Sequence, residues 1–194
     1  FTRISPSPDK SLGQLFVDVQ ERRIYKDGKI FADIVPKGKI SQIKKQYSLE
    51  KDSPEFSIQE FVNSHFYTIT DDSSNYVTDT SRTMRQHISE LWPVLERKTH
   101  SKRGSLIPLP HAYVVPGGRF SEQFYWDSYF IMLGLAADNR WQLIEGMIKN
   151  YAYMIRKFGF VPTANRTYFL SRSQPPFLSH MVELLESHTG KRVL

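Results

Sequence analysis

The segment from Pro116 to Tyr129 reads PGGRFSEQFYWDSY and contains three residue types that together can bind a polyhydroxylated ligand. Arg119 offers a planar group of N–H donors, Asp127 can accept hydrogen bonds from two hydroxyls, and Trp126 offers a flat apolar ring. The same residues fit a purely structural arrangement equally well. In that alternative Arg119 forms an ion pair with Asp127 or with Glu122, and Trp126 lies in the core.

The spacing of these residues matters because a helix returns to the same side after whole turns. The apolar periodicity predicts a helix from about residue 121 to 138, with two glycines forming a turn before it. Trp126 and Asp127 follow Arg119 by about two helical turns. We therefore expect one of them to return to the side from which Arg119 projects.

A second segment, from Gly159 to Pro176, reads GFVPTANRTYFLSRSQPP and is rich in hydrogen-bonding side chains. Residues that precede proline avoid the α region, so Arg172, Ser173 and Gln174 are predicted to be extended. Extended backbone alternates its side chains, which places Arg172 and Gln174 on one side. The segment also presents Thr163, Asn165 and Arg166, and we interpret all six residues as a second wall of a polar pocket.

Helices must position both segments, because the hydrophobic period is helical along most of the chain and no convincing strand pattern is present. The fold class is therefore predicted to be all-α, with long loops joining helix pairs. The predicted helices cover approximately residues 12–23, 39–48, 57–66, 80–97, 121–138, 140–157 and 176–187.

Three local patterns sharpen this prediction. Ser57 and Glu60 have the spacing of a capping box at a helix start. Asp138 and Asn139 form a short joint that makes the two neighbouring helices an antiparallel hairpin. Pro93 should kink or interrupt the helix predicted over residues 80–97. The buried face of that helix is predicted to consist of Met84, Ile88, Leu91, Trp92 and Leu95.

Composition excludes several classes of protein. The chain has 194 residues, a net charge of +6 and no cysteine, so disulfides, iron–sulfur clusters and thiol nucleophiles are excluded. No phosphate-binding glycine loop, nucleophile elbow or zinc-binding helix motif is found, and the histidines are scattered, so neither a metal nor a cofactor is expected. The basic runs are short and lack interleaved aromatics, which disfavours nucleic acid. No apolar run approaches the roughly 20 residues of a membrane span.

The two segments resemble the trehalase family. Residues 116–129 are similar to the first family motif, and residues 159–176 resemble the next block of the family. The sequences LFVDVQ at 15–20 and DGKIFADIVP at 27–36 resemble the start of the family's catalytic region. The resemblance therefore covers nearly the whole chain, in order.

The resemblance implies an (α/α)6 toroid of helical hairpins, with loops at one end forming the sugar pocket, and residues 1–194 as the N-terminal part of that single domain. It also implies glucose contacts from a set of residues: Arg119, Trp126, Asp127, Arg172, Ser173 and Gln174. Trehalases typically have an asparagine where this chain has Thr163. A threonine reaches less far, and Asn165 is the alternative replacement.

The family's reaction is hydrolysis of α,α-trehalose to two glucoses with inversion, without a cofactor. Inversion needs a carboxylic acid and a carboxylate base roughly 6.5–9.5 Å apart. In the family both lie further along the chain, and its second motif has no counterpart here. We therefore expect no catalytic residue before Leu194, an inactive isolated chain, and the remainder of the domain as its partner.

Two questions stay open at the level of sequence. The chain could instead be a truncated homologue that binds sugar or packs against a partner without catalysis. The opening SLGQLF at 11–16, without a long preceding extension, favours a secreted, periplasmic form; a cytoplasmic form is the alternative.

Overall fold

A computed structural model of the chain describes residues 6–67, 76–98 and 104–192. These residues are mainly helical, which confirms the predicted all-α class. The helices are α1 Pro8–Leu12, α2 Gln14–Glu21, α3 Gly28–Asp33, α4 Ile40–Glu50, α5 Ile58–His65, α6 Met84–Leu95, α7 Tyr125–Ala137, α8 Trp141–Phe158 and α9 Leu178–Thr189.

Short strands that the sequence did not predict accompany the helices. β1 Val35–Pro36 pairs antiparallel with β2 Phe66–Tyr67, and β3 Glu96–Arg97 pairs antiparallel with β4 Tyr113–Val114. Each strand has only two residues, too few for an alternating pattern to be visible in the sequence. Among the described helices, none is both long and apolar enough to cross a membrane.

The described residues fall into two compact units. The first comprises residues 6–67 and 104–107 and contains α1 to α5. Its core is centred on Phe31, whose ring contacts those of Phe16, Tyr25 and Phe66 at centroid distances of 5.7, 6.2 and 5.7 Å. Burying such rings supplies both apolar area and specific edge and face contacts.

The second unit comprises residues 76–98 and 108–192 and contains both candidate segments. Helix α8 packs against α7, α9 and β4. Its apolar stripe follows the predicted helical spacing, and Ile144, Met147, Ile148 and Tyr151 are all completely buried. The buried stripe fixes α8 against its neighbours, and α8 in turn supports the candidate site.

Helix boundaries confirm some of the predicted caps and correct others. The Ser57 hydroxyl accepts a hydrogen bond from the Glu60 amide, as expected. The first predicted helix is divided into α1 and α2 at Gly13, because this residue adopts a φ of 59° that no helix contains. Helix α6 begins only at Met84, after Thr83 and Gln86 form a capping box.

The predicted buried face of α6 was wrong in its first half. Met84 is 80% exposed and Ile88 is 41% exposed, whereas Trp92 is 9% exposed. Leu91 and Leu95 are partly buried, so the burial of α6 is confined to its second half and is complete only near Trp92. The indole Nε1 of Trp92 donates to Asp138 Oδ2 at 2.7 Å. Pro93 lies inside the helix without ending it.

The end of α8 provides a prediction about stability. Gly159 follows the helix with a φ of 86°, and a Cβ there would meet no atom within 4 Å. Gly159→Ala is therefore expected to cost about 1–2 kcal/mol of unfolding free energy through backbone strain alone. Chemical denaturation measures this loss.

Gly38→Ala is the matched control, because its Cβ would also meet nothing within 4 Å and its φ is not positive. That replacement is expected to be neutral or to stabilise by up to about 1 kcal/mol. Equal effects of the two replacements would contradict backbone strain as the cause.

Candidate functional site

Arg119 lies in a tight turn immediately before α7. Gly117 and Gly118 have φ angles of 98° and 57°, which suit glycine, and the Phe120 amide donates to the Gly117 carbonyl at 3.1 Å. Arg119 is exposed in this turn. The two glycines thus present its side chain outside the core.

The predicted start of the helix was wrong, and with it the argument from helical spacing. Helix α7 begins at Tyr125 rather than near residue 121, because residues 122 and 123 bond to the second segment instead of winding into a helix. Arg119 therefore does not share a helix with Trp126 and Asp127. It lies in the turn, with its guanidinium 5.4 Å from the centroid of the Phe120 ring.

The N-terminus of α7 is completed by the second segment. No local side chain caps this helix. Instead the Tyr125 amide donates to the Thr163 carbonyl at 2.9 Å, and the Trp126 amide donates to Oε1 of Gln174 at 3.2 Å. The first turn of a helix leaves its amides without intrahelical partners, so these two bonds join the candidate segments at one place.

A buried polar network lies beneath this junction. The Arg166 Nε donates to Glu122 Oε1 at 2.6 Å, and both side chains are almost completely inaccessible. The Gln123 amide N–H donates to Asn165 Oδ1 at 2.9 Å, and its side-chain oxygen accepts from Asn150 at 2.9 Å. Every one of these bonds connects residues far apart in sequence, and together they fix the two segments to α8.

Tyr151 of α8 supports the first turn of α7 from below. Its hydroxyl donates to Ser128 Oγ at 2.7 Å and lies 3.0 Å from the Phe124 carbonyl oxygen. Complete burial raises the pKa of the Tyr151 phenol well above its ordinary value, because the anion would be poorly solvated. The hydroxyl consequently remains a neutral donor over the whole physiological range of pH.

Trp126 and Asp127 are accessible at this first turn. The indole is 41% exposed and meets Phe130 edge-on, with ring centroids 6.4 Å apart. The Asp127 carboxylate is half-buried and forms no hydrogen bond or ion pair with any residue in the described ranges. The alternative with Trp126 in the core and an Arg119–Asp127 ion pair is therefore not what the structure shows.

The residues of the second segment divide into exposed and buried ones. Arg172 and Ser173 are exposed, and Gln174 is partly exposed beside Trp126. Thr163 is only 8% exposed, and its hydroxyl donates to the Arg172 carbonyl at 3.3 Å. Asn165 is completely buried and holds the Gln123 amide, so its side chain serves the internal network.

Sequence reasoning placed Arg166 in the wall of the pocket, but the structure buries it in its pair with Glu122. Gln123 and Asn150 were missed altogether. Only Asn150 is visible in the sequence, as a polar residue within the apolar stripe of α8. Buried polar groups must be hydrogen-bonded, so such an interruption indicates a partner. It does not identify which residue that partner is.

This arrangement can bind a ligand that carries several hydroxyls. Asp127 supplies an acceptor, Trp126 an apolar face, and Arg119 and Arg172 supply donors. Glu122, the other carboxylate of the first segment, is fully buried in its pair with Arg166 and is not accessible to a ligand. Within the described ranges no group of three or more potential metal-binding side chains is found.

Comparisons with known proteins agree on one family. Residues 23–194 match the family model described as trehalase. The periplasmic trehalases of Shigella flexneri serotype 5b and of Escherichia coli O1:K1 are each 46% identical over 196 aligned positions, which cover 100% of this chain and 34% of each relative. The chain thus spans about a third of the length of these proteins.

Similarity extends to solved structures. The neutral trehalase Nth1 from Saccharomyces cerevisiae is 42% identical over 43% of this chain and 15% of its own, with a TM-score of 0.40.

Proposed function

The chain belongs to the trehalase family, and we propose that the protein of which it forms part hydrolyses α,α-trehalose to two molecules of glucose. In this proposal residues 116–129 and 159–176 supply one wall of a glucose pocket. The proposal is supported by the family match and by the names of the relatives, which are trehalases.

One observation carries the assignment of the pocket wall. The first turn of α7 presents the exposed Trp126 ring and the Asp127 carboxylate, which has no hydrogen-bond or ion-pair partner among the described residues, and Gln174 bonds to the same turn. Asp127 accepts hydrogen bonds from glucose hydroxyls, and the Trp126 ring packs against the apolar face of the sugar. Arg119 and Arg172 donate to hydroxyls and supply positive charge. Ser173 completes the edge of the wall, and the buried Thr163 supports it through its bond to the Arg172 carbonyl.

The chemical step requires groups from elsewhere in the protein. Inverting hydrolysis uses one carboxylic acid to protonate the glycosidic oxygen and one carboxylate to activate water on the opposite face. We propose that both groups follow Leu194 in the complete protein, that the whole forms one toroidal domain, and that residues 1–194 alone do not hydrolyse trehalose. We also propose a periplasmic location, in keeping with the names of the relatives.

The test is an assay of the complete protein with trehalose, in which glucose release is followed together with the anomeric form of the first product by NMR. Attack with inversion yields one β-glucose and one α-glucose from each trehalose. Absence of glucose release would overturn the proposed activity. Release of α-glucose alone would overturn the stereochemical part only.

Gln174 allows its structural and ligand-binding roles to be separated. In Gln174→Glu a carboxylate oxygen still accepts from the Trp126 amide, and its charge is favourable at a helix N-terminus. We expect an unfolding free energy within about 0.5 kcal/mol of the parent protein. Because the amide donor for the sugar is lost, kcat/KM for trehalose is expected to fall about tenfold.

The companion variant Gln174→Ala loses both functions. It should lower the unfolding free energy by about 0.5–1.5 kcal/mol as well as the activity. Unchanged kcat/KM in Gln174→Glu would show that this residue only caps α7.

A further inference from the structure

Three phenylalanine rings connect the two arginines of the candidate pocket. The Arg119 guanidinium lies 5.4 Å from the centroid of Phe120, and the Arg172 guanidinium lies 5.2 Å from the centroid of Phe169. Between them Phe124 meets both rings nearly edge-on, at centroid distances of 5.4 and 5.7 Å. We call Phe120, Phe124 and Phe169 the phenylalanine row.

The row joins the two segments that the ligand must contact together. Phe120 and Phe124 belong to the first segment, and Phe169 belongs to a 3-10 turn at Thr167–Phe169 in the second. Phe124 is 9% exposed and occupies the centre. Phe169 is partly buried against it, whereas Phe120 is 41% exposed. A displacement of the Phe124 ring would therefore be transmitted to Phe169 in particular, because close-packed side chains have little free volume to absorb it.

A ring contact is a suitable way to hold an arginine that must bind a ligand. A guanidinium above an aromatic ring is attracted through its face, whereas its N–H donors lie in its plane. An ion pair with a carboxylate would instead occupy those donors. Arg172 forms no ion pair and no side-chain hydrogen bond within the described ranges, and the interaction shown for its side chain is with Phe169.

We infer that Phe169 is a positioning residue for the proposed hydrolysis, because its ring holds the Arg172 guanidinium at a fixed place with its donors directed to the sugar. The inference rests on the proposed function and adds to it one residue that acts through Arg172. Phe124 packs edge-on against Phe169 and supports that ring.

The test uses steady-state kinetics of the complete enzyme on trehalose with variants at Phe169, which is only partly buried. Phe169→Leu removes the ring and is expected to lower kcat about tenfold, while Phe169→Tyr keeps a ring face and should retain kcat within about twofold of the parent. In an Arg172→Lys background the planar group is already lost. There Phe169→Leu is expected to have no further effect on kcat.

Phe61→Leu is the matched control for a general loss of core packing. Phe61 is 4% exposed and lies among the rings of Tyr47, Phe56 and His65 in the other unit. It should lower the unfolding midpoint and leave kcat unchanged.

The inference would be overturned by parental kcat in Phe169→Leu, or by effects of Phe169→Leu and Arg172→Lys that simply multiply. It would also be overturned by a fall in kcat of the same size in Phe61→Leu, since any loss of packing would then suffice. If the parent enzyme does not release glucose, the proposed function itself has failed, so the two failures are distinguishable.

Discussion

Replacing Asp127 with asparagine in the complete enzyme is expected to lower kcat/KM for trehalose by about 100-fold or more. The carboxylate is accessible and unpaired within the described residues, so its hydrogen-bonding capacity is available to the substrate. An amide of the same shape loses the negative charge and turns one acceptor into a donor, which misplaces the sugar hydroxyls. Misplacement of a substrate by about 1 Å is enough for an effect of this size.

The measurement is trehalose hydrolysis over a range of substrate concentrations, with thermal unfolding of the same samples. Glu145→Gln is the control for loss of one negative charge, because Glu145 lies on α8 in an exposed pair with Lys149. It should leave kcat/KM unchanged. Near-parental activity of Asp127→Asn would remove Asp127 from the glucose pocket.

The second large effect concerns stability, at the buried pair of Arg166 and Glu122. Arg166→Met is expected to lower the unfolding free energy by about 3–5 kcal/mol, because it leaves the Glu122 carboxylate buried without this cation. The same change removes one of the bonds that join the two candidate segments. Denaturant unfolding of the complete protein measures the loss.

Two comparisons identify the cause of this loss. Lys149→Met breaks the exposed pair with Glu145 and should cost less than about 1 kcal/mol. The double replacement Glu122→Gln with Arg166→Met also removes the buried charge that has lost its Arg166 partner, and it should be more stable than Arg166→Met alone. A loss below about 1 kcal/mol in Arg166→Met would show that the pair does not hold the segments together.

Much of the helical framework could be predicted from periodicity. The stripe of α8 is buried as expected from Ile144 to Tyr151, and Gly159 ends the helix in the left-handed conformation. The prediction weakens at the edges of the stripe, where Ile155 is 36% exposed. Apolar spacing reports which face of a helix is buried, but the extent of the burial depends on what packs against each turn.

The candidate site was less predictable, because long-range hydrogen bonds decide its geometry. The start of α7 at Tyr125 depends on Thr163 and Gln174, which are 38 and 49 residues away along the chain. No local cap is present at this helix start. A window of neighbouring residues contains no information about such partners.

The sequence by itself determined the residue types available for chemistry, the helical class and, through its motifs, the trehalase family. Those properties follow from local spacing and side-chain chemistry, and both can be read directly from the amino-acid sequence. Only the tertiary structure decided that Trp126 and Asp127 are accessible while Asn165 is buried, and that phenylalanine rings lie beneath Arg119 and Arg172. These features depend on which distant groups hydrogen-bond to each buried amide and which side chains fill the core. Such partners are determined only when the chain folds and packs.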